Sequence, residues 1–87
     1  MEKGKYIIVK ERGHLVPILF HLLISHDTFL NCYHKDNIHS AGFFQIVLFP
    51  IHDKHIITVH VFGKSTSLNL KTDDDDAKRI EHLLTTI

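Results

Sequence analysis

The sequence has one cysteine, Cys32, so no intramolecular disulfide can form and the fold must rest on its core. A chain without disulfides suits a reducing compartment. Neither sign of charge is in excess: ten lysines and arginines face ten aspartates and glutamates. Phosphate contacts dominate nucleic-acid affinity and call for a basic excess, so this balance argues against a nucleic-acid partner. No apolar run is long. The longest, "LVPILFHLLI" at residues 15–24, is about half of a membrane span and is interrupted by Pro17 and His21. The opening "MEKGKYIIVKERG" runs directly into a charged amphipathic segment and carries no signal-peptide pattern. A soluble cytoplasmic protein, not associated with a membrane, is expected. There is no internal repeat, and no low-complexity stretch beyond four consecutive aspartates.

What is present is enough for one globular domain spanning residues 1–87. A 44% hydrophobic fraction is ample for a globular fold and argues against disorder, and the length leaves room for one core but not for a deep preformed pocket as well. "KYIIVK" at 5–10 reads as a strand, "ERGH" at 11–14 as a tight turn, and "LVPILF" at 15–20 as the returning strand of a hairpin. Pro17 cannot donate a ladder hydrogen bond, which puts that strand at an edge or at a bulge. In residues 21–34, Leu22, Leu23, His26 and Leu30 fit a helical stripe, while Ser25 or Asp27 could cap a shorter helix over 28–33. The polar "KDNIHSAG" at 35–42 reads as a surface loop.

"FFQIVLFPI" at 43–51 is a strand apolar on both faces, and such a strand needs cover on both: a helix on one, a second layer or a second subunit on the other. "HIITVHVF" at 55–62 presents Ile57, Val59 and Val61 to a core and a mixed face of Ile56, Thr58, His60 and Phe62. Gly63-Lys64 marks a bulge or turn, and "STSLNLK" at 65–71 alternates as a further strand. The segment 72–87 is helical, with Ala77, Ile80, Leu83, Leu84 and Ile87 forming its stripe. Thr72 or Asp73 caps it, the aspartates favour its dipole, and Asp74–Lys78 and Asp75–Arg79 are i,i+4 pairs. The expected fold is a small α+β two-layer domain: a mainly antiparallel sheet of four to five strands with a C-terminal helix packed on one face.

Four patterns invite chemistry. Gly63-Lys64-Ser65 matches the end of a phosphate-binding loop. However, residue 58, where the first glycine belongs, is Thr58, and the flanking segments are strands rather than a loop and a helix. No nucleotide or other cofactor is expected. The nine histidines lack the i,i+2 or i,i+4 spacing of a metal set. The candidate metal ligands are turn-borne His52 with His55, and Cys32 with His34. Ser25, His26 and Asp27 are adjacent in sequence, and adjacent residues rarely face one another as a triad does. The four aspartates at 73–76 lack the glycine and glutamate of a calcium loop.

The segments Ser25-His26, Ser40-Ala41-Gly42-Phe43 and Gly63-Lys64-Ser65-Thr66-Ser67-Leu68, with the opening hairpin, resemble small uncharacterised proteins of phages and prophages. The resemblance runs through most of the chain. It implies a mobile-element origin, with no defined activity and no functional residues to carry over. Phe43, Phe44, Phe49, Ile51, Ile56 and Phe62 exceed what one helix can cover, so the excess is expected to face a partner. The expected function is a non-enzymatic interaction protein, acting as a homodimer or with another protein, through a surface containing Phe44, Ile56, His60 and Phe62. Two alternatives stand beside it. One is histidine-dependent transition-metal binding. The other is nucleic-acid association through Lys3, Lys5, Lys10, Arg12 and Lys64.

Overall fold

The computed structural model describes residues 2–85. Four strands form one antiparallel sheet: β1 (Lys3–Glu11), β2 (His14–Phe20), β3 (Ile38–Ile51) and β4 (Lys54–Phe62), in the order β2-β1-β3-β4. Two short strands, β5 (Lys64–Ser65) and β6 (Leu70–Lys71), pair in a second small sheet, and helix α1 spans Asp76–Thr85. The expected α+β class and antiparallel sheet are observed. Ile87, the last residue of the expected helical stripe, lies outside the described residues.

The first hairpin turns at Arg12 and Gly13, which take φ of 51° and 81°. Two consecutive positive φ values match the right-handed strand twist in a two-residue turn, and Gly13 adopts its value without steric penalty. Pro17 lies on β2, an edge of the sheet, paired with Ile8. The missing N–H is tolerated there because an edge strand needs only alternate donors for its ladder.

β1 is the strand buried on both faces: Tyr6, Ile7, Ile8 and Val9 are all fully enclosed. On one face, Tyr6 and Ile8 join Phe44, Val59 and Ile80, with Leu15, Leu19, Ile57, Val61, Ala77 and Leu84 packed around them. This is the α1 side, and Ile57, Val59 and Val61 face it as their alternation predicts. On the other face, Ile7 and Val9 meet Phe20, Ile38, Ala41 and Leu68, with Phe29 and Tyr33 against them. The 3₁₀ turn His26–Asn31 and the β5–β6 hairpin thus cover the inner half of this second face.

Two expectations need correction. Residues 38–42 are not loop. They extend β3, where Ala41 and Gly42 sit opposite Ile7 and Tyr6. Small residues fit where the sheet is most crowded, and the polar Ser40 is buried with a partner. Residues 65–71 are not one strand. The Ser65 hydroxyl accepts from the Leu68 N–H at 3.2 Å, Asn69 takes φ of 54°, and the chain folds back so that β6 pairs with β5. A serine that offers the backbone a local partner competes with ladder formation. Within the single chain, the segment 43–51 is covered on both faces only over its inner part, which leaves its outer part to a second subunit, the other cover that such a strand can have. β3 has 14 residues, which at ~3.3 Å each span roughly 45 Å, close to the 44 Å long axis of the molecule. Its outer end, with β4, therefore runs past the layers that cover it.

Candidate functional site

The start of α1 organises a polar cluster. The Asp73 carboxylate accepts from the Asp75 N–H at 3.3 Å, and Asp76 returns the bond by accepting from the Asp73 N–H at 2.9 Å. This is a capping-box arrangement built from two aspartates three residues apart. Asp76 is fully buried and also accepts from the Tyr6 hydroxyl at 2.6 Å, the Ser40 hydroxyl at 3.0 Å and Arg79 Nη1 at 2.9 Å. Arg79 Nη1 reaches Asp73 as well, at 3.2 Å. The arginine therefore turns to Asp73 and Asp76, not to Asp75 as expected. Among the described residues no buried side-chain polar atom lacks a partner.

The electrostatics follow from this geometry. Burial, reinforced by the Asp76 carboxylate, holds the Tyr6 phenol protonated far above its ordinary range. The hydrogen bond from His39 Nε2, at 2.5 Å, and then the Asp75 N–H pull Asp73 down to about 2. His39 and Asp73 stand at the margin of an open cleft of about 920 Å³. Its other wall is the β5–β6 hairpin, which contributes Lys64, Ser65, Thr66, Asn69 and Lys71. The lysine and serine of the Gly-Lys-Ser motif therefore do line a concave surface, although Gly63 (φ 75°) bends between two strands and heads no helix.

The second feature is the hairpin β3–β4. Its register places Phe43 opposite Phe62, Gln45 opposite His60, Val47 opposite Thr58, and Phe49 opposite Ile56. Paired residues share a face, so these side chains form one surface on the side away from α1. Phe49, Ile51, Ile56 and Phe62 on it are 47–51% exposed. Phe43 and Phe62 stack with centroids 5.8 Å apart. On the β4 edge, the Val59 N–H is taken by the Glu81 carboxylate at 2.9 Å.

Ile56, His60 and Phe62 accordingly lie together on an exposed face. Phe44 does not: it points to the α1 side and is fully buried. The one-residue step from Phe43 to Phe44 crosses the sheet. Of the metal candidates, His52 sits in the β3–β4 turn, His55 near the start of β4, and Cys32 and His34 in the short stretch between residues 31 and 35; all four are exposed. Among the described residues no three His, Cys, Asp or Glu side chains form a group able to hold an ion. His34 Nδ1 instead accepts from the Asp36 N–H at 3.2 Å as a cap of the 3₁₀ turn Lys35–Asn37. Of the basic residues, Lys3 and Lys10 share no patch. Lys3 and Lys10 sit seven residues apart on β1, roughly 23 Å, and on opposite faces. Lys5 donates to the Ile24 carbonyl at 2.9 Å.

Ser25, His26 and Asp27 form no triad. His26 is buried, and its Nε2–H donates to the Gly42 carbonyl at 2.9 Å. Its ring is held edge-on between Phe20 and Phe43. Burial lowers its pKa below the ordinary 6.5, only partly offset by the Gly42 carbonyl. A histidine lowered in the folded state binds its proton more readily when unfolded. The contribution of this group to stability is therefore fully present above about pH 6.5 and declines as pH falls below it. Urea unfolding between about pH 7.5 and pH 5 should show this decline in the native chain. His26→Gln keeps a donor for Gly42 without titrating, so its slope over the same range should be much flatter. Equal slopes would show that His26 is not the group responsible.

No protein-family model, curated protein or solved structure matches this chain. No helix among the described residues is long and apolar enough to cross a membrane.

Proposed function

We propose that this protein is a non-enzymatic interaction module that self-associates through the outer face of the β3–β4 hairpin. The observation that carries it is the row of half-exposed apolar side chains Phe49, Ile51, Ile56 and Phe62 on one face of one hairpin. Together they offer roughly 350–400 Å² of apolar surface, the size of patch that marks interaction sites. A second copy of the chain is the occupant proposed. The formal net charge is zero at pH 7, so no long-range repulsion opposes the approach of two copies. Glu81 occupies the Val59 N–H in the middle of edge strand β4, which disfavours strand addition there and favours packing face to face. Two such patches bury roughly 700–800 Å² of apolar surface, below the ~1,200 Å² at which stable interfaces begin, so association should be weak and strongly concentration-dependent. The compartment proposed is the cytoplasm, consistent with a single unpaired cysteine. The origin proposed, on the resemblance described above, is a phage or other mobile element.

Sedimentation velocity across a concentration series tests the proposal. The native chain should shift from monomer to dimer, and Phe49→Glu or Ile56→Lys should hold it monomeric without loss of fold. A native chain that stays monomeric at millimolar concentration, or a dimer indifferent to both substitutions, would refute it.

A further inference from the structure

We propose that the cleft between the β5–β6 hairpin and the start of α1 is a binding site for a phosphate group, either the free ion or a phosphomonoester. Lys64 and Lys71 are directly opposed across the β5–β6 pair, and both line the cleft. Like charges placed opposite one another on a ladder are destabilising. Among the described residues neither ammonium has a carboxylate within ion-pair distance. The fold therefore holds two cations side by side and leaves them without a counter-ion.

The chemistry of the lining selects the ligand. Each ammonium offers three donors and no acceptor. Thr66, Thr72 and Asn69 add neutral hydroxyl and amide donors to the same concavity. A tetrahedral dianion neutralises both lysines at once, whereas a carboxylate neutralises one. Two acidic residues share the lining, Asp73 and Asp74. The Asp73 charge is already engaged by His39 and Arg79. Asp74, exposed on the cleft margin, is the acidic side chain that opposes the ligand. The site works through side chains on a hairpin, not through a loop of backbone N–H groups, so it does not depend on the missing first glycine at Thr58.

Amide chemical-shift titration of the intact chain tests this, at constant ionic strength, with inorganic phosphate, glycerol phosphate and acetate as separate probes. Saturable shifts confined to residues 63–74 are expected with the two phosphates, and no saturable change with acetate. Tighter binding of glycerol phosphate would mark a phosphomonoester as the ligand class, and tighter binding of inorganic phosphate would mark the free ion. Lys64→Ala and Lys71→Ala should each weaken binding by about tenfold or more, the loss of one charge-assisted contact. Asp74→Asn should strengthen it. Both lysines are exposed, so the variants should keep the native spectrum elsewhere. The proposal is overturned if acetate matches phosphate, if the shifts do not saturate, or if they survive in both lysine variants.

Discussion

Asp76→Ala is expected to destabilise the domain by about 3–5 kcal/mol, the usual consequence of removing one partner from a buried, hydrogen-bonded ion pair. A domain of this size has a total stability of only about 4–13 kcal/mol, so the variant should be largely unfolded under mild denaturant. The magnitude follows from what is left behind. The Tyr6 and Ser40 hydroxyls lose their acceptor in a buried site, and the Asp73 N–H loses its cap. Arg79 keeps only Asp73. A second substitution separates this cause from a simple loss of volume. Tyr6→Phe should cost about 1 kcal/mol in the native background, where it removes one hydrogen bond. In Asp76→Ala it should be neutral or stabilising, because it removes a stranded hydroxyl. Chemical denaturation of the four chains gives the coupling directly. An Asp76→Ala variant within about 1 kcal/mol of the native chain would show that the carboxylate is not the keystone of the cluster.

What could be read from the sequence was local. The Arg12–Gly13 turn, the edge position of Pro17, the inward row Ile57, Val59 and Val61, and the cap at Asp73 all follow from residues within a few positions of one another. The buried cluster does not. Tyr6 and Asp76 are 70 residues apart in sequence, Ser40 and Asp76 are 36 apart, and His39 and Asp73 are 34 apart. Four identical aspartates also disguised their roles, since helix-terminal charge accounts for any of them equally well. One signal was present. Asp76 stands four residues before Ile80 and three before Arg79, which puts it on the inward stripe of α1, beside a cation. A carboxylate on a buried stripe must have partners, and that requirement pointed into the core.

The errors over residues 38–42 and 65–71 have one physical source. Ser40 and Ser65 look like solvent-facing polar residues, yet both are buried and both spend their hydroxyls inside the fold. Ser40 satisfies a carboxylate and so sits within a strand. Ser65 satisfies a backbone N–H three residues on, and so ends one. Composition cannot separate these outcomes, because the acceptor or donor that decides each of them is set by tertiary packing.

Phe44→Ala should destabilise the fold by about 3–5 kcal/mol, whereas Phe62→Ala should cost only about 1 kcal/mol and act mainly on self-association. Both phenylalanines belong to the same apolar excess, and burial separates them: Phe44 is fully enclosed, and Phe62 is half exposed. The ring of Phe44 lies over Gly4, its partner on β1, so closely that a Cβ at that position would stand 2.7 Å from the Phe44 ring and 2.7 Å from the Phe20 carbonyl oxygen. The second contact is with backbone, so enlarging Gly4 cannot refill the space that Phe44→Ala opens. The cavity term therefore stays close to its full value. Phe62 instead loses part of a stack with Phe43 and some surface already in contact with water. Thermal unfolding of dilute protein should rank Phe44→Ala far below Phe62→Ala, and sedimentation should find Phe62→Ala folded and less associated than the native chain. If the two variants melted together, the boundary between core and outer face would have to be redrawn. Phe44 would then return to the exposed set with Ile56 and His60.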